Sequence, residues 1–290
     1  MTTADLLQVS RLIEQQLVKR NLRGMQLLQQ QLRPGYILRA ARLINQCRGT
    51  VLIGTGFPVL DTFETDGPVG AIALYQLLEQ LGARPMLVSG NPLCAVLSSR
   101  YRTYQISVNQ QQNLPVIASQ ALTELQPQLV ISIERPGFTA TARYANMRGE
   151  DITERCASFD HFLNLARCPT IGIGDGGNEI GMGNMAAFLD QLNITPAVTE
   201  CDELVVADAS NWATWGIIAM VSVLQGRDLL TSANPLQILK FLSAHGSVDG
   251  VTRLNTLTED GLPHTEGEQL ITELRDLVQK LNRVAHANAP

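Results

Sequence analysis

The sequence predicts an α/β protein: a doubly wound, mostly parallel sheet of Rossmann-like type with helical additions at both termini. Three observations carry that expectation. From residue 50 onward, short β-branched runs alternate with helical stretches, the pattern of a parallel sheet covered by helices on both faces. Right-handed crossovers between such strands wind the chain in both directions. The unusual residues also gather after the strands, at the edge where open parallel sheets bind ligands.

The elements follow in order. Leu6, Val9, Ile13 and Leu17 recur at helical spacing among polar residues, and this first helix runs on until Pro34-Gly35 breaks it. A second helix then reaches about Cys47, so residues 1–48 read as a helical extension that packs on the main domain or on the partner in a homodimer. Strands are predicted at Thr50–Ile53, Pro85–Val88, Tyr104–Val108, Leu129–Ile133, Thr170–Ile173 and Glu203–Val206. Helices are predicted at 68–82, 92–99, 116–125, 156–167, 184–192 and 210–225, with two more at 235–244 and 266–285. Residues 49–290 thus form a single α/β domain whose last part, 227–290, supplies C-terminal helices.

Composition narrows the function classes. The chain has 290 residues, is 45% apolar and 17% charged, and carries a formal charge of −5, which leaves no basic stripe for nucleic acid. Cys47, Cys94, Cys156, Cys168 and Cys201 are scattered and odd in number, a pattern of reduced thiols rather than a disulfide framework. No apolar run approaches the ~20 residues that span a bilayer, and the first residues carry no secretory signal. The expected setting is cytoplasmic, with no membrane or nucleic-acid partner.

The segment Gly172–Gly183, GIGDGGNEIGMG, is the most unusual stretch. Gly174, Gly176, Gly177, Gly181 and Gly183 permit positive φ and close backbone approach, and successive free amides can form an anion nest. Asp175 and Glu179 are out of place in a pure phosphate cradle, so they point to a cation, an amine or acid/base work. The run lacks the Gly-Lys-Ser/Thr of a phosphate loop, and it does not follow the first strand as a dinucleotide fingerprint would. Glu64 and Asp66 precede a helix beginning at Pro68; Asp66 reads equally well as that helix's cap and as a ligand to substrate. Arg135 and Arg148 offer planar forks for a carboxylate. Thr55 and Gly56 leave the first strand, Asn178 lies inside the glycine-rich run, and Asn211 opens the helix after the sixth strand behind Ser210 as its cap; all four are candidate substrate contacts. His161, His245, His264 and His286 have no partners spaced for a metal or a triad. The sequence requires no cofactor. A divalent cation, Mg²⁺ or Mn²⁺, would fall to Asp66, Asp175 and Glu179.

The order of these loops resembles the D-glutamate cyclase C-terminal-domain family. Thr55–Pro58, Glu64–Ala71, Glu134–Gly137, Tyr144–Ile152, Gly172–Gly183 and Ser210–Trp212 carry the likeness, between about residues 50 and 225. After Ser-Asn-Trp the family usually has glycine, where this chain has Ala213-Thr214-Trp215-Gly216. The resemblance implies a lyase-type conversion of D-glutamate to 5-oxo-D-proline with loss of water. Ring closure needs the α-carboxylate held, the ammonium deprotonated and the distal carboxyl polarised. Arg135 or Arg148 is expected to hold the carboxylate, and Glu64, Asp66 or Asp175 to accept the proton. Amides of Gly174–Gly177 are expected to stabilise the oxyanion, and Glu179 to act as the acid. Two other readings stay open from the residues: a non-catalytic amino-acid or nucleotide-binding module, and a metal-dependent phosphate-ester or nucleotide enzyme.

Overall fold

Residues 2–110 and 112–287 are described by the computed structural model. The strands, in chain order, are β1 (Thr50–Thr55), β2 (Pro58–Val59), β3 (Thr62–Phe63), β4 (Arg84–Ser89), β5 (Thr103–Gln105), β6 (Leu129–Ile133), β7 (Thr170–Gly174), β8 (Glu203–Val206), β9 (Thr258–Glu259) and β10 (Leu262–Pro263). The helices begin with α1 (Thr3–Leu17), α2 (Met25–Gln31), α3 (Tyr36–Gln46), α4 (Pro68–Gln80), α5 (Leu93–Leu97) and α6 (Leu114–Leu125). They continue with α7 (Asp160–Asn164), α8 (Ala186–Leu189), α9 (Ser210–Gln225), α10 (Pro235–Ala244) and α11 (His264–Ala287).

Six strands make one parallel sheet in the order β5-β4-β1-β6-β7-β8. Counted within the sheet alone, that is the order 3-2-1-4-5-6 of the doubly wound dinucleotide-binding architecture, with its switch point between β1 and β6. Alternate residues feed opposite layers. Val51 and Ile53 of β1 join Leu129, Ile131 and Ile133 of β6 in a core shared with α1, α3, α4, α9 and α11. Leu52 and Val130 point the other way, into a smaller core with Ala118, Ala121, Phe159 and Phe162 from α6 and the α7 region. Both faces are covered, so the central strands are buried almost throughout and mostly apolar rather than alternating.

The register brings four strand ends to one edge. Thr55 pairs with Ile133, Ile133 with Ile173, and Gly174 with Val206. The residues that follow, Gly56, Glu134, Asp175 and Ala207, therefore emerge side by side.

Three helical expectations differ from the structure for identifiable reasons. The first helix stops at Leu17 instead of running toward Pro34. Asp208 holds the interruption: its amide donates to the Leu17 carbonyl (2.8 Å), and its carboxylate accepts from the amides of Arg20 (2.7 Å) and Leu22 (3.4 Å). The turn ends on Gly24 at φ 79° before α2 begins. The helix expected at 156–167 is confined to Asp160–Asn164, and that expected at 184–192 is a 3₁₀ turn, Met182–Met185, followed by the single turn α8. No helix among the described residues is long and apolar enough to cross a membrane.

Candidate active site

The chain leaves β1, makes the β2–β3 hairpin and returns as Glu64-Thr65-Asp66-Gly67 into α4. This return is pinned by a C-terminal segment: the Thr65 amide donates to Val248 O (2.9 Å) and the Thr65 hydroxyl to Thr258 O (2.7 Å). The same segment carries Glu259 and Asp260 into the crevice on the β9–β10 hairpin. Its turn is Asp260-Gly261, with φ of 51° and 77°, the backbone that favours Asp-Gly in two-residue hairpins.

Asp66 does not cap α4, whose N-cap is Gly67. It reaches across the crevice to the start of α9. One carboxylate oxygen accepts from the Asn211 amide (2.7 Å), the other from the Ser210 amide (2.8 Å). These are orphan donors of a helix N-terminus, and a carboxylate there also meets the positive end of the dipole. The N-cap position of α9 is Ala209 rather than Ser210, and the Ser210 hydroxyl is free to donate to Glu134 (2.5 Å). Asp175 shares the Ser210 amide (3.1 Å). Glu134 sits at φ 46°, a left-handed conformation costly for a glutamate and found preferentially at functional sites.

Glu179 folds back on its own loop. Its carboxylate accepts from the amides of Gly176 (3.0 Å) and Gly177 (2.8 Å), so the donors expected to face an oxyanion are engaged within the run. Of the five glycines that permit positive φ or close approach, Gly177 (108°) and Gly181 (104°) take positive φ. Gly174 serves by close approach instead, since a Cβ there would lie 2.8 Å from the Glu179 carboxylate.

Arg23, on the turn between α1 and α2, enters this cluster from the N-terminal extension. Its Nη2 lies 2.7 Å from Asp175 and 2.6 Å from Asp260. Its Nε and Nη2 also donate to the backbone carbonyls of Asp175 (3.2 Å) and Asp208 (3.1 Å).

The electrostatics follow from many buried acids around one guanidinium. Burial, reinforced by neighbouring carboxylates, pushes Glu64, Asp66 and Glu134 well above the usual carboxylate range. Burial does the same to Asp175, against the opposing pull of Arg23. It raises Glu179 too, against the hydrogen bonds from its loop amides. Asp260 is the exception: burial pushes it up, but Arg23 and hydrogen bonds from Asp175, Arg23 and Asp66 bring it below its ordinary value. Glu259 is pushed up to about 7 by burial, opposed by the hydrogen bonds that Trp212 and Asn211 donate to it. One Glu64 oxygen, Oε1, is buried without a hydrogen-bond partner among the described residues.

Arg23, Glu64, Glu134, Arg148, Asp175, Glu179, Arg253 and Asp260 line a cleft of about 40 Å³, room for an ammonium group or an ion. Two sets of carboxylates have ligand atoms within 4.8 Å of one another: Asp66, Asp175 and Asp260, and Glu134, Asp175 and Glu179. The set expected for a metal, Asp66, Asp175 and Glu179, is thus divided between them.

The other predicted residues lie as follows. Arg148 is exposed at the rim, its Nη2 donating to Val251 O (2.8 Å). Asn178 faces the same cleft and donates to Ala145 O (3.0 Å). Arg135 points away, into a neighbouring cavity that it shares with Thr55 and Gly56. Asn211 is fully buried and binds protein: its Oδ1 accepts from the amides of Gly67 (2.9 Å) and Gly70 (2.7 Å), and its Nδ2 donates to Glu259 (3.0 Å). Sequence reasoning missed Arg23, Glu134 and Asp260 as site residues. Asp260-Gly261 carried a hairpin signal, and Glu134 stood in a loop already marked as unusual. Arg23 carried no local signal.

A family model described as "D-glutamate cyclase-like, C-terminal" matches residues 13–275, a wider span than the loops alone suggested. The chain is 28% identical over 294 residues to the human protein "D-glutamate cyclase, mitochondrial", covering 83% of this chain and 47% of that protein. It therefore spans about half the length of this curated relative. A crystal structure of an exopolyphosphatase-related protein from Bacteroides fragilis is similar at TM-score 0.44 and 9% identity, over 88% of this chain and 61% of that one. That likeness is too distant to carry fold or function.

Proposed function

The chain belongs to the D-glutamate cyclase-like, C-terminal family, and from that premise we propose that it closes D-glutamate into 5-oxo-D-proline with loss of water. The observation that carries the reading is the meeting, in one cleft, of carboxyls held toward their protonated form with an ionised one paired to Arg23.

The chemistry asks for both. The substrate ammonium loses two protons on becoming a lactam N–H, and the departing carboxyl oxygen gains two on leaving as water. The reaction consumes no net proton, so it needs an acceptor and a donor near one another. The ammonium enters the acid-lined cleft, where its charge favours ionisation of the nearest carboxyl. Glu64, with its unpartnered Oε1, is the acceptor, and Asp175 or Glu134 delivers a proton to the leaving oxygen. Arg148 and Arg253 at the rim meet the substrate carboxylates. Glu179 keeps the glycine-rich loop in shape and adds to the negative field. Either carboxylate set would also suit Mg²⁺ or Mn²⁺, which when bound would polarise the distal carboxyl.

The test is conversion of D-glutamate to 5-oxoproline by the purified chain, read by chromatography, with and without Mg²⁺ or Mn²⁺. Asp175→Asn is expected to abolish turnover, because it removes a proton donor and a partner of Arg23. L-glutamate provides the comparison for stereochemistry. No product from the wild-type chain under any of these conditions would reject the reading.

A further inference from the structure

Beyond the acid-lined cleft, across Phe57 and Pro58, lies a second cavity of about 200 Å³. It opens beyond the ends of β4, β1 and β6, and where its neighbour is lined by five carboxylates, the buried charge here is the Arg135 guanidinium. Arg135 lines it at 2% exposure. Among the described residues this guanidinium has no carboxylate in ion-pair contact: Nη1 donates to Thr55 O (2.8 Å), Nη2 to Ala157 O, and its Cζ lies 5.4 Å from the Phe159 ring centre. Its Nε has no hydrogen-bond partner among the described residues. A buried cation left without a counter-charge is expensive, and such groups are normally paired. Phe57, Pro58, Leu93 and Val108 give the cavity an apolar wall, and Thr62, Ser89 and Asn91 add polar groups beside it.

We propose that this cavity is a binding site for a small organic monocarboxylate with a compact apolar body, its carboxylate seated on Arg135. Arg135 is the buried charge of this lining, and with the apolar part of the wall it favours a monoanion over phosphate. At the rim Asp61 and Glu154 outnumber Arg155, which adds to that preference because the excess negative charge would repel a dianion more strongly. The size fits as well, since a dry apolar void of about 150 Å³ already holds benzene. The site is separate from the cyclase chemistry and does not depend on it.

The test is calorimetry on the full chain with cyclopentanecarboxylate as the probe and cyclopentanecarboxamide as its neutral counterpart. The carboxylate is expected to bind and the amide to bind at least about tenfold more weakly, the difference that a charge-assisted contact makes. Arg135→Met should abolish the preference. Val108→Trp fills the mouth from an exposed position without touching the guanidinium, and should abolish binding in a protein that still folds. Asp175→Asn should leave it unchanged, which separates this site from the catalytic reading. Absence of carboxylate binding, equal binding of the two probes, or binding that survives Val108→Trp would each overturn the proposal.

Discussion

Replacing Arg23 by methionine removes the cation between Asp175 and Asp260 while keeping most of the apolar stem. The wild-type guanidinium makes ion pairs at 2.7 and 2.6 Å and two further bonds to backbone carbonyls. Its carboxylate partners are almost fully buried, with side-chain exposures of 5% and 9%. Removing one partner of a buried pair costs about 3–5 kcal/mol, because the other charge stays desolvated. The carboxyls can relieve part of that by taking up protons, so the loss depends on pH. Arg23 holds Asp260 below its ordinary value, and stability drawn from a depressed acid is present above the unfolded pKa. In the variant, burial moves Asp260 upward with its neighbours. The difference between the two proteins therefore shrinks as pH falls through the range where the variant's carboxyls protonate. Urea denaturation should give a loss of about 3–5 kcal/mol at pH 8 and clearly less at pH 5. A loss below about 1 kcal/mol at pH 8, the scale of an exposed ion pair, would refute the reasoning, as would a larger loss at pH 5. Arg23→Lys keeps the charge without the planar fork and should fall between.

Two further outcomes concern the surroundings of the site. Asn211→Ala strips the acceptor from the buried Gly70 amide, whereas the Gly67 amide keeps Asp66. One orphaned buried donor predicts a loss of about 1–3 kcal/mol, seen as a lower urea midpoint at unchanged slope. The wild-type protein should also lose stability as pH rises from about 4.5 to 7. Glu259 is pushed up to about 7 when folded, so in that window the unfolded chain binds fewer protons and each pH unit costs up to about 1.4 kcal/mol for one such group. Glu64, Asp66, Glu134 and Asp175 act in the same direction. A higher melting temperature at pH 8 than at pH 5, without added divalent cation, would contradict this.

The sheet was legible because its strands are buried on both faces, and that burial writes short apolar runs rich in β-branched residues, such as Leu129–Ile133, into the chain. The convergence of loops at one edge was legible for the same reason, since strand direction fixes where each loop emerges. What escaped was set by contacts between distant residues. The break after Leu17 comes from Asp208, and nothing near residue 17 announces it. Asp66 has a cap's composition and position, but the helix it caps begins at Ser210. Asn211 was expected to contact substrate, and only its partners show that its amide is spent on the protein. Arg135 and Glu134 are adjacent in sequence and face different cavities, a distinction that residue type alone does not carry.

The bond between Arg23 and Asp260 spans 237 residues, and that from Arg23 to the Asp175 carbonyl spans 152. Contacts of such separation form after local ones, because loop-closure entropy must be met before they contribute. During synthesis the guanidinium is made first and the acids arrive later, so each buried carboxylate finds its cation already present. The cleft is complete only when the hairpin bearing Asp260 has docked. A chain that has folded its parallel sheet but not that hairpin would hold an unfinished cleft, without Asp260 and its pairing to Arg23.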